Sequence, residues 1–114
     1  MIKINGVELE EFDIYKADNA DKYEEAMTKV NDEVKKLQGL KTSIVIRKQC
    51  EIVFDFFNTI YGSGTDKKIF GNEVHLIKCM EALGMFVTYI NEQKKSINGL
   101  LSKYSPDRLK RNKK

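Results

Sequence analysis

The sequence predicts a mainly α-helical domain with a small N-terminal β-hairpin (α+β), built from three main helices and one short helical turn. Two observations carry this prediction. Three long segments repeat apolar residues every three to four positions, which is the period of a helix with one buried face. Near the start, the dipeptide Asn5-Gly6 lies between short segments of alternating apolar residues, and this pattern is a strong signal for a tight hairpin turn.

The hairpin is predicted over residues 2–14, with strands at 2–4 and 7–14, because apolar residues alternate on both sides of the turn. Two strands alone are marginally stable in water, so we expect the ribbon to pack on the helices or to pair with another chain. Four acidic residues are interpreted as a solvated strand face, with contact to a basic partner as the alternative: Glu8, Glu10, Glu11 and Asp13.

The first helix is predicted from Asp18 or Asn19, whose side chains can cap it, to about Gln38, with Gly39 ending it. Its apolar stripe is expected to contain Tyr23, Met27 or Ala26, Val30, Val34 and Leu37. The second helix is predicted from Thr42 or Ser43 to Gly62. Because it has the broadest apolar face, it is expected to be the central core helix or to serve an interface as well.

A loop capped by Thr65 or Asp66 and a short turn over 66–70 precede the last helix, predicted over 73–102. The residues of its stripe are Val74, Ile77, Met80 or Ala82, Leu83, Phe86, Ile90, Ile97 and Leu101. Residues 91–96 are polar throughout. The second half of this helix is therefore expected to project from the domain or to join a partner, and Pro106 ends it.

The chain divides into a single domain over 1–103 and a basic tail over 104–114. Residues 103–114 contain six basic residues and one acidic residue, whereas residues 1–102 contain fourteen basic and sixteen acidic residues. All the net positive charge is therefore terminal. The tail is interpreted as a solubilising terminus, a protein-docking segment or a nucleic-acid contact. Its basic residues are Arg108, Lys110, Arg111, Lys113 and Lys114.

Several classes of protein are excluded by what the sequence lacks. No apolar run is long enough to span a membrane, and the N-terminus has no signal-peptide pattern. We therefore expect a cytoplasmic location. Cys50 and Cys79 are predicted to be buried, reduced thiols, with a disulfide or a reactive thiol as the alternative.

No pattern predicts catalysis, a metal or a cofactor. His75 is the single histidine and is interpreted as a surface or half-buried structural residue. The segment Gly62–Lys68 lacks the spacing of a phosphate-binding loop. Glu51 and Asp55 lie one helical turn apart near Arg47 and Lys48, which indicates an exposed charged face rather than an acid–base pair. We expect a binding protein that is not an enzyme.

Six stretches in this order carry a resemblance to a known family: Ile4–Leu9, Tyr23–Met27, Ile46–Phe57, Gly62–Thr65, Ile69–Asn72 and Lys103–Arg111. Together they resemble short proteins of unknown function from tailed phages and prophages of Gram-positive bacteria. The ending Tyr104–Arg108 followed by basic residues is similar to the ends of many phage tail assembly chaperones. This chain has Leu109–Asn112 where a Gln-Arg-Arg type of run is commoner.

The resemblance implies a chaperone that binds the phage tape measure protein, keeps it soluble and helps to recruit the major tail (tube) protein. It implies a location in the cytoplasm of the bacterial host, departure before the virion is complete and, often, a second form extended by a frameshift. We also expect a homo-oligomer. The alternatives are a small nucleic-acid-binding regulator that uses the tail and a structural virion or head–tail joining protein.

Partner contacts are predicted on the excess apolar width of the second and last helices. The second helix would contribute Ile52, Phe56 and Phe57, and the last helix would contribute Phe86, Tyr89 and Ile90. The alternative is that these side chains fill the core. No membrane partner is expected, and nucleic acid is the minor alternative.

Overall fold

The computed structural model describes residues 1–104, apart from the side chains of residues 97, 98, 102 and 104. The elements are β1 (Ile2–Ile4), β2 (Val7–Leu9), α1 (Ala17–Lys35), α2 (Thr42–Tyr61), α3 (Thr65–Phe70) and α4 (Leu76–Tyr104). The predicted fold class is confirmed, since three long helices and a short one follow a two-stranded antiparallel hairpin. The basic residues predicted for the tail beyond Lys103 lie outside the described residues.

The hairpin turns at Asn5 and Gly6, whose φ angles are 50° and 81°. A tight two-residue turn of this kind needs positive φ at both central positions, and Asn-Gly supplies it at low cost. The register pairs Ile2 with Leu9 and Ile4 with Val7. The prediction that the second strand reaches residue 14 is wrong, because β2 ends at Leu9. The backbone beyond it instead bonds to side chains of α4.

Helix α1 begins at Ala17, one residue before the predicted caps, and its N-cap residue, Lys16, makes no capping hydrogen bond through its side chain. The predicted capping role of Asn19 is wrong, since its Nδ2 donates to the carbonyl oxygen of Asp13. The helix ends at Lys35 rather than Gln38, and residues 36–39 form a turn. Its buried positions are Tyr23, Ala26 and Val30, whereas Val34 is 40% exposed.

Helix α2 spans Thr42–Tyr61, so it begins at one of the two predicted residues and ends one residue before the predicted Gly62, which is its C-cap. Its C-terminus and α3 are joined through side chains that the sequence prediction missed. Asn58 in α2 accepts a hydrogen bond at Oδ1 from the backbone N–H of Asp66, at 3.0 Å. Asn58 therefore supplies the acceptor that was predicted to come from Thr65 or Asp66. The Thr65 hydroxyl instead donates from Oγ1 to the carbonyl oxygen of Gly62. Asn58 thus satisfies an amide in the first turn of α3.

Helix α4 begins at Leu76, three residues after the predicted start at Glu73. Its buried stripe consists of Cys79, Ala82, Phe86 and Ile90. The predicted stripe is wrong in the first turns, because Val74, Ile77 and Met80 are 43%, 58% and 39% exposed. Leu101, predicted on the same stripe, is 63% exposed. Helix α4 therefore carries two apolar stripes, and its packing against α2 buries the one that contains Cys79.

Phe86 occupies the centre of the core. Its ring centroid lies 5.6–6.1 Å from the centroids of six other aromatic rings: Phe12, Tyr23, Phe56, Phe57, Tyr61 and Tyr89. Offset and edge-to-face ring pairs of this kind add to the stabilisation from burial. The cluster joins the segment after the hairpin to α1, α2 and α4. None of the helices in the described part of the chain has the length and apolar character needed to cross a bilayer.

Candidate functional site

Four of the six residues predicted to contact a partner fill the core instead. Phe56, Phe57, Phe86 and Ile90 are at most 2% exposed. In this structure they have no surface to offer a partner, so burial supports the alternative interpretation made for them. The width of the apolar face on α2 reflects its central position, since it packs against α1, α3 and α4 together.

The other two predicted residues have different surroundings. Tyr89 is half-buried, and its hydroxyl accepts a hydrogen bond from the backbone N–H of Phe12 at 3.0 Å. Tyr89 therefore holds the segment after the hairpin. Ile52 is half-buried and lines a groove between α1 and α2. Ile52 thus remains available to a partner, and the groove is the candidate site.

The groove has a volume of about 370 Å³. Its apolar lining consists of Ala26, Val30 and Leu37 near α1, Leu40 in the connection, and Ile52 on α2. Ala26, Val30 and Leu37 are buried, whereas Leu40 is 41% exposed. The groove therefore presents apolar side chains at several depths, which suits an apolar group inserted from outside.

Charged side chains of both signs accompany this apolar lining. On the α1 side they are Lys29, Glu33 and Lys36, and on the α2 side they are Lys48, Glu51 and Asp55. The Lys36 Nζ lies 3.1 Å from the Glu33 Oε1. The other four charges have no ion-pair partner within 4 Å among the described residues. They are therefore available for polar contacts with a bound molecule.

Glu51 and Asp55 are exposed, as the sequence predicted. The residues that line the groove with them include neither a histidine nor a cysteine. The groove offers binding contacts to apolar and charged groups.

His75 lies at the surface, in line with its prediction. Its Nδ1 accepts a hydrogen bond from the backbone N–H of Lys78 at 3.4 Å, so it occupies a capping position at the start of α4. The nearby Lys78 ammonium donates to Glu73 at 2.7 Å and lowers the pKa of that carboxyl. Among the described residues, no three side chains of the metal-binding types are grouped to hold an ion.

The two cysteines are both buried and free, as predicted. The structure brings them close enough for Cys50 to affect the titration of Cys79. Burial, reinforced by Cys50, raises the pKa of Cys79 to about 12. Because the thiolate is the reactive form, this thiol is held in its unreactive state at neutral pH.

Comparison with protein families gives one assignment for nearly the whole chain. The model of a family described as "Family of unknown function (DUF6673)" matches residues 5–114. The chain belongs to this family. The match contains the hairpin turn, the groove between α1 and α2, and the tail. The family description states no activity or partner, and comparisons with curated proteins and with solved structures yield no match.

Sequence reasoning found one residue of the groove and missed the rest. Ile52 was predicted because α2 carries more apolar residues than one helical face can bury. The sequence analysis assigned no role to Lys29, Glu33 or Leu40. A signal for Leu40 was present in the sequence, since it follows Leu37 by three residues and so continues the apolar spacing of α1 past Gly39.

Proposed function

We propose that this protein is a binding module that acts as a phage tail assembly chaperone and holds an amphipathic helix of the tape measure protein in the groove between α1 and α2. The resemblance of the sequence to small proteins of tailed phages supports the identity of the partner. The observation that supports the mode of binding is the groove itself, with apolar residues lining it and four charged side chains beside them that have no ion-pair partner among the described residues.

The chemistry of the groove matches one face of an amphipathic helix. Such a helix presents apolar side chains at positions i, i+3, i+4 and i+7, with charged residues at the edges of the stripe. Its apolar side chains would contact Val30, Leu37, Leu40 and Ile52. Its lysines would meet Glu51 and Asp55 on the α2 side, and its glutamates would meet Lys48 on that side and Lys29 on the α1 side.

The remaining parts of the proposal follow from the resemblance. The protein would act without catalysis and without a cofactor. It would keep the tape measure protein soluble in the cytoplasm of the bacterial host, help to recruit the major tail (tube) protein, and leave before the virion is complete. Homo-oligomers would let several copies cover one long partner.

Co-expression with a fragment of the tape measure protein tests the proposal. We expect the wild-type chain to keep the fragment soluble and to co-purify with it. The double variant Leu40→Gln, Ile52→Gln should leave the fragment insoluble, because it replaces two apolar groove residues that are not fully buried. A matched control is Met85→Gln, which changes an apolar residue of α4 that is 44% exposed and lies outside the groove.

Three outcomes would contradict the proposal. One is a tape measure fragment that neither co-purifies with the chain nor gains solubility from it. Another is recovery of the protein from purified mature virions, which would support a structural role such as head–tail joining. The third is salt-dependent DNA or RNA binding that disappears when residues 104–114 are deleted, which would support the nucleic-acid-binding regulator.

A further inference from the structure

The groove between α1 and α2 has two rims of opposite net charge. The charged residues that α1 contributes, here called the α1 rim, are two basic and one acidic: Lys29, Glu33 and Lys36. Those that α2 contributes, the α2 rim, are one basic and two acidic: Lys48, Glu51 and Asp55. The formal charge of the α1 rim is therefore +1 and that of the α2 rim is −1.

Ion pairing leaves an ammonium on one rim and carboxylates on the other. On the α1 rim, Lys36 pairs with Glu33 at 3.1 Å, and Lys29 has no ion-pair partner within 4 Å among the described residues. On the α2 rim, Glu51 and Asp55 are exposed and likewise unpaired in the described part of the chain. These two carboxylates are one helical turn apart, so both face the same flank of a bound helix.

The unpaired charges belong to the same part of the groove. Helices α1 and α2 are joined by the short connection 36–41 and pack against each other, so they run antiparallel. Lys29 lies six residues before the end of α1, and Glu51 and Asp55 lie nine and thirteen residues after the start of α2. All three are therefore away from the connection, and a helix in the groove would pass between them.

Opposite rims make the groove sensitive to the direction of a bound helix. An amphipathic helix with its apolar face in the groove has one flank along each rim, and turning it end for end exchanges the flanks. A helix with one basic and one acidic flank meets opposite charges in one direction and like charges in the other. A helix with the same charge on both flanks meets like charges on one rim in either direction.

We propose that the groove selects a helix with one basic flank and one acidic flank, and that these flanks fix its direction between α1 and α2. The basic flank would lie beside Glu51 and Asp55, and the acidic flank beside Lys29. The apolar lining supplies affinity, whereas the rims select the partner and its orientation. This inference rests on the function proposed above and specifies which helices of the partner the groove would accept.

Nucleic acid and anionic membranes fit these rims less well. Their phosphates would be attracted by Lys29 but repelled by Glu51 and Asp55 across the groove. The rims carry both signs of charge within one site, which favours a protein helix with charges of both signs.

Fluorescence anisotropy with designed helical peptides tests the inference on the full chain. Five peptides of about 18 residues, each about 27 Å long, would carry leucine at the a and d positions and differ only at the flanking e and g positions. Two have lysine on one flank and glutamate on the other, in either arrangement. The others have lysine, glutamate or glutamine on both flanks. Each labelled peptide is kept at nanomolar concentration so that it does not pair with itself.

The mixed peptides should bind most tightly. We expect each of them to bind about tenfold more tightly than the peptides with lysine or glutamate on both flanks, because those meet like charges on one rim. Added salt should reduce this difference. The two mixed peptides should also lie in opposite directions. With a photo-cross-linker at the N-terminus, one should attach near Leu40 and the other near Thr59, at the two ends of the groove, as mapped by mass spectrometry.

A charge reversal on one rim should change the preference. Lys29→Glu makes the α1 rim acidic as well, so this variant should bind the peptide with lysine on both flanks more tightly than either mixed peptide. The control Lys35→Glu makes the same charge change at an exposed position of α1 outside the groove and should keep the preference of the wild type. Circular dichroism should show the same helix content in all three proteins.

The glutamine-flanked peptide separates failure of this inference from failure of the proposed function. If it binds the wild type but not the variant Leu40→Gln, Ile52→Gln, the groove binds helices. Equal affinities for mixed and uniform peptides, or cross-links from one mixed peptide at both ends, would then overturn the inference alone. If no peptide binds, both fail.

Other occupants of the groove would also overturn the inference. Self-association of the wild type that the variant Leu40→Gln, Ile52→Gln abolishes, measured by light scattering, would identify a second copy. Binding of duplex DNA or of phosphatidylserine vesicles that the same variant abolishes would identify another class of partner.

Discussion

The side-chain amide of Gln93 donates a hydrogen bond from Nε2 to the backbone carbonyl oxygen of Phe12, at 3.0 Å. The same amide accepts at Oε1 from the backbone N–H of Ile14, at 2.9 Å. Tyr89, one turn earlier on α4, accepts from the N–H of Phe12. Residues 12–14 thus obtain from two side chains the hydrogen bonds that a neighbouring strand would supply. This explains how Phe12 and Ile14 enter the core although β2 ends at Leu9.

Replacing Gln93 by alanine should therefore destabilise the domain. The variant leaves the carbonyl oxygen of Phe12 and the N–H of Ile14 without their partner, in a partly buried place. We expect a loss of about 1–3 kcal/mol in the free energy of unfolding, measured by urea denaturation. The control Glu92→Ala changes the adjacent exposed residue, and its effect should stay within about 0.5 kcal/mol. Equal stability of the two variants would show that Gln93 does not hold this segment.

Phe86 should be the most sensitive position of the core. Phe86→Ala removes the ring that contacts six others and leaves a cavity, so we expect a loss of about 3–5 kcal/mol. Phe86→Leu keeps most of the volume and should cost less. The adjacent Met85→Ala, at a position that is 44% exposed, is the matched control. Similar urea midpoints for Phe86→Ala and Met85→Ala would contradict the central role of Phe86.

The sequence predictions were accurate where a structure depends on neighbouring residues and inaccurate where it depends on contacts between distant elements. The hairpin turn was predicted correctly because the positive φ angles at Asn5 and Gly6 are a local requirement. The first turns of α4 were predicted wrongly because periodicity identifies an apolar stripe but not which of two stripes is buried. Ile77 and Met80 belong to one stripe and Cys79 to the other, and only contact with α2 decides between them.

The candidate site shows the same limit. An excess of apolar residues on α2 indicates that these side chains are covered, but it does not show whether the domain core or a partner covers them. Phe56 and Phe57 are therefore covered by the core, whereas Ile52 faces the groove. Gln93 was missed for a related reason, since it lies in a polar run and its partners are about eighty residues away in the sequence. Pairings over such distances have no signature in one sequence.

Asn58 gives a prediction for the junction of α2 and α3. Its Oδ1 accepts from the N–H of Asp66 in the first turn of α3. Asn58→Ala should cost about 1 kcal/mol, as the loss of a capping acceptor does elsewhere. Asn58→Asp keeps an acceptor oxygen and should retain most of the stability. Asn72→Ala is the control, because Asn72 bonds only to the exposed Lys67 ammonium among the described residues. If Asn58→Asp lost as much stability as Asn58→Ala, the acceptor role would be wrong.

Alkaline pH should weaken the fold through Cys79. Burial raises the pKa of this thiol from 9.0 to about 12 in the folded state. Between these values the unfolded chain releases the thiol proton and the folded chain keeps it, so the unfolded state binds fewer protons. The free energy of unfolding therefore falls as pH rises, by up to about 1.4 kcal/mol per pH unit for this group. Below about pH 8 its contribution should be constant.

Urea denaturation at intervals from about pH 8 to about pH 10 tests this dependence, because tyrosines ordinarily titrate at the upper end of that range and above. Burial also raises the pKa values of Tyr23 and Tyr61, so stability should fall further at higher pH for the same reason. The variant Cys79→Ala has no thiol at this position and should lose less stability than the wild type between about pH 9 and about pH 10. Parallel curves for the two proteins would show that the Cys79 thiol titrates alike in the folded and unfolded chains, and would contradict its burial beside Cys50.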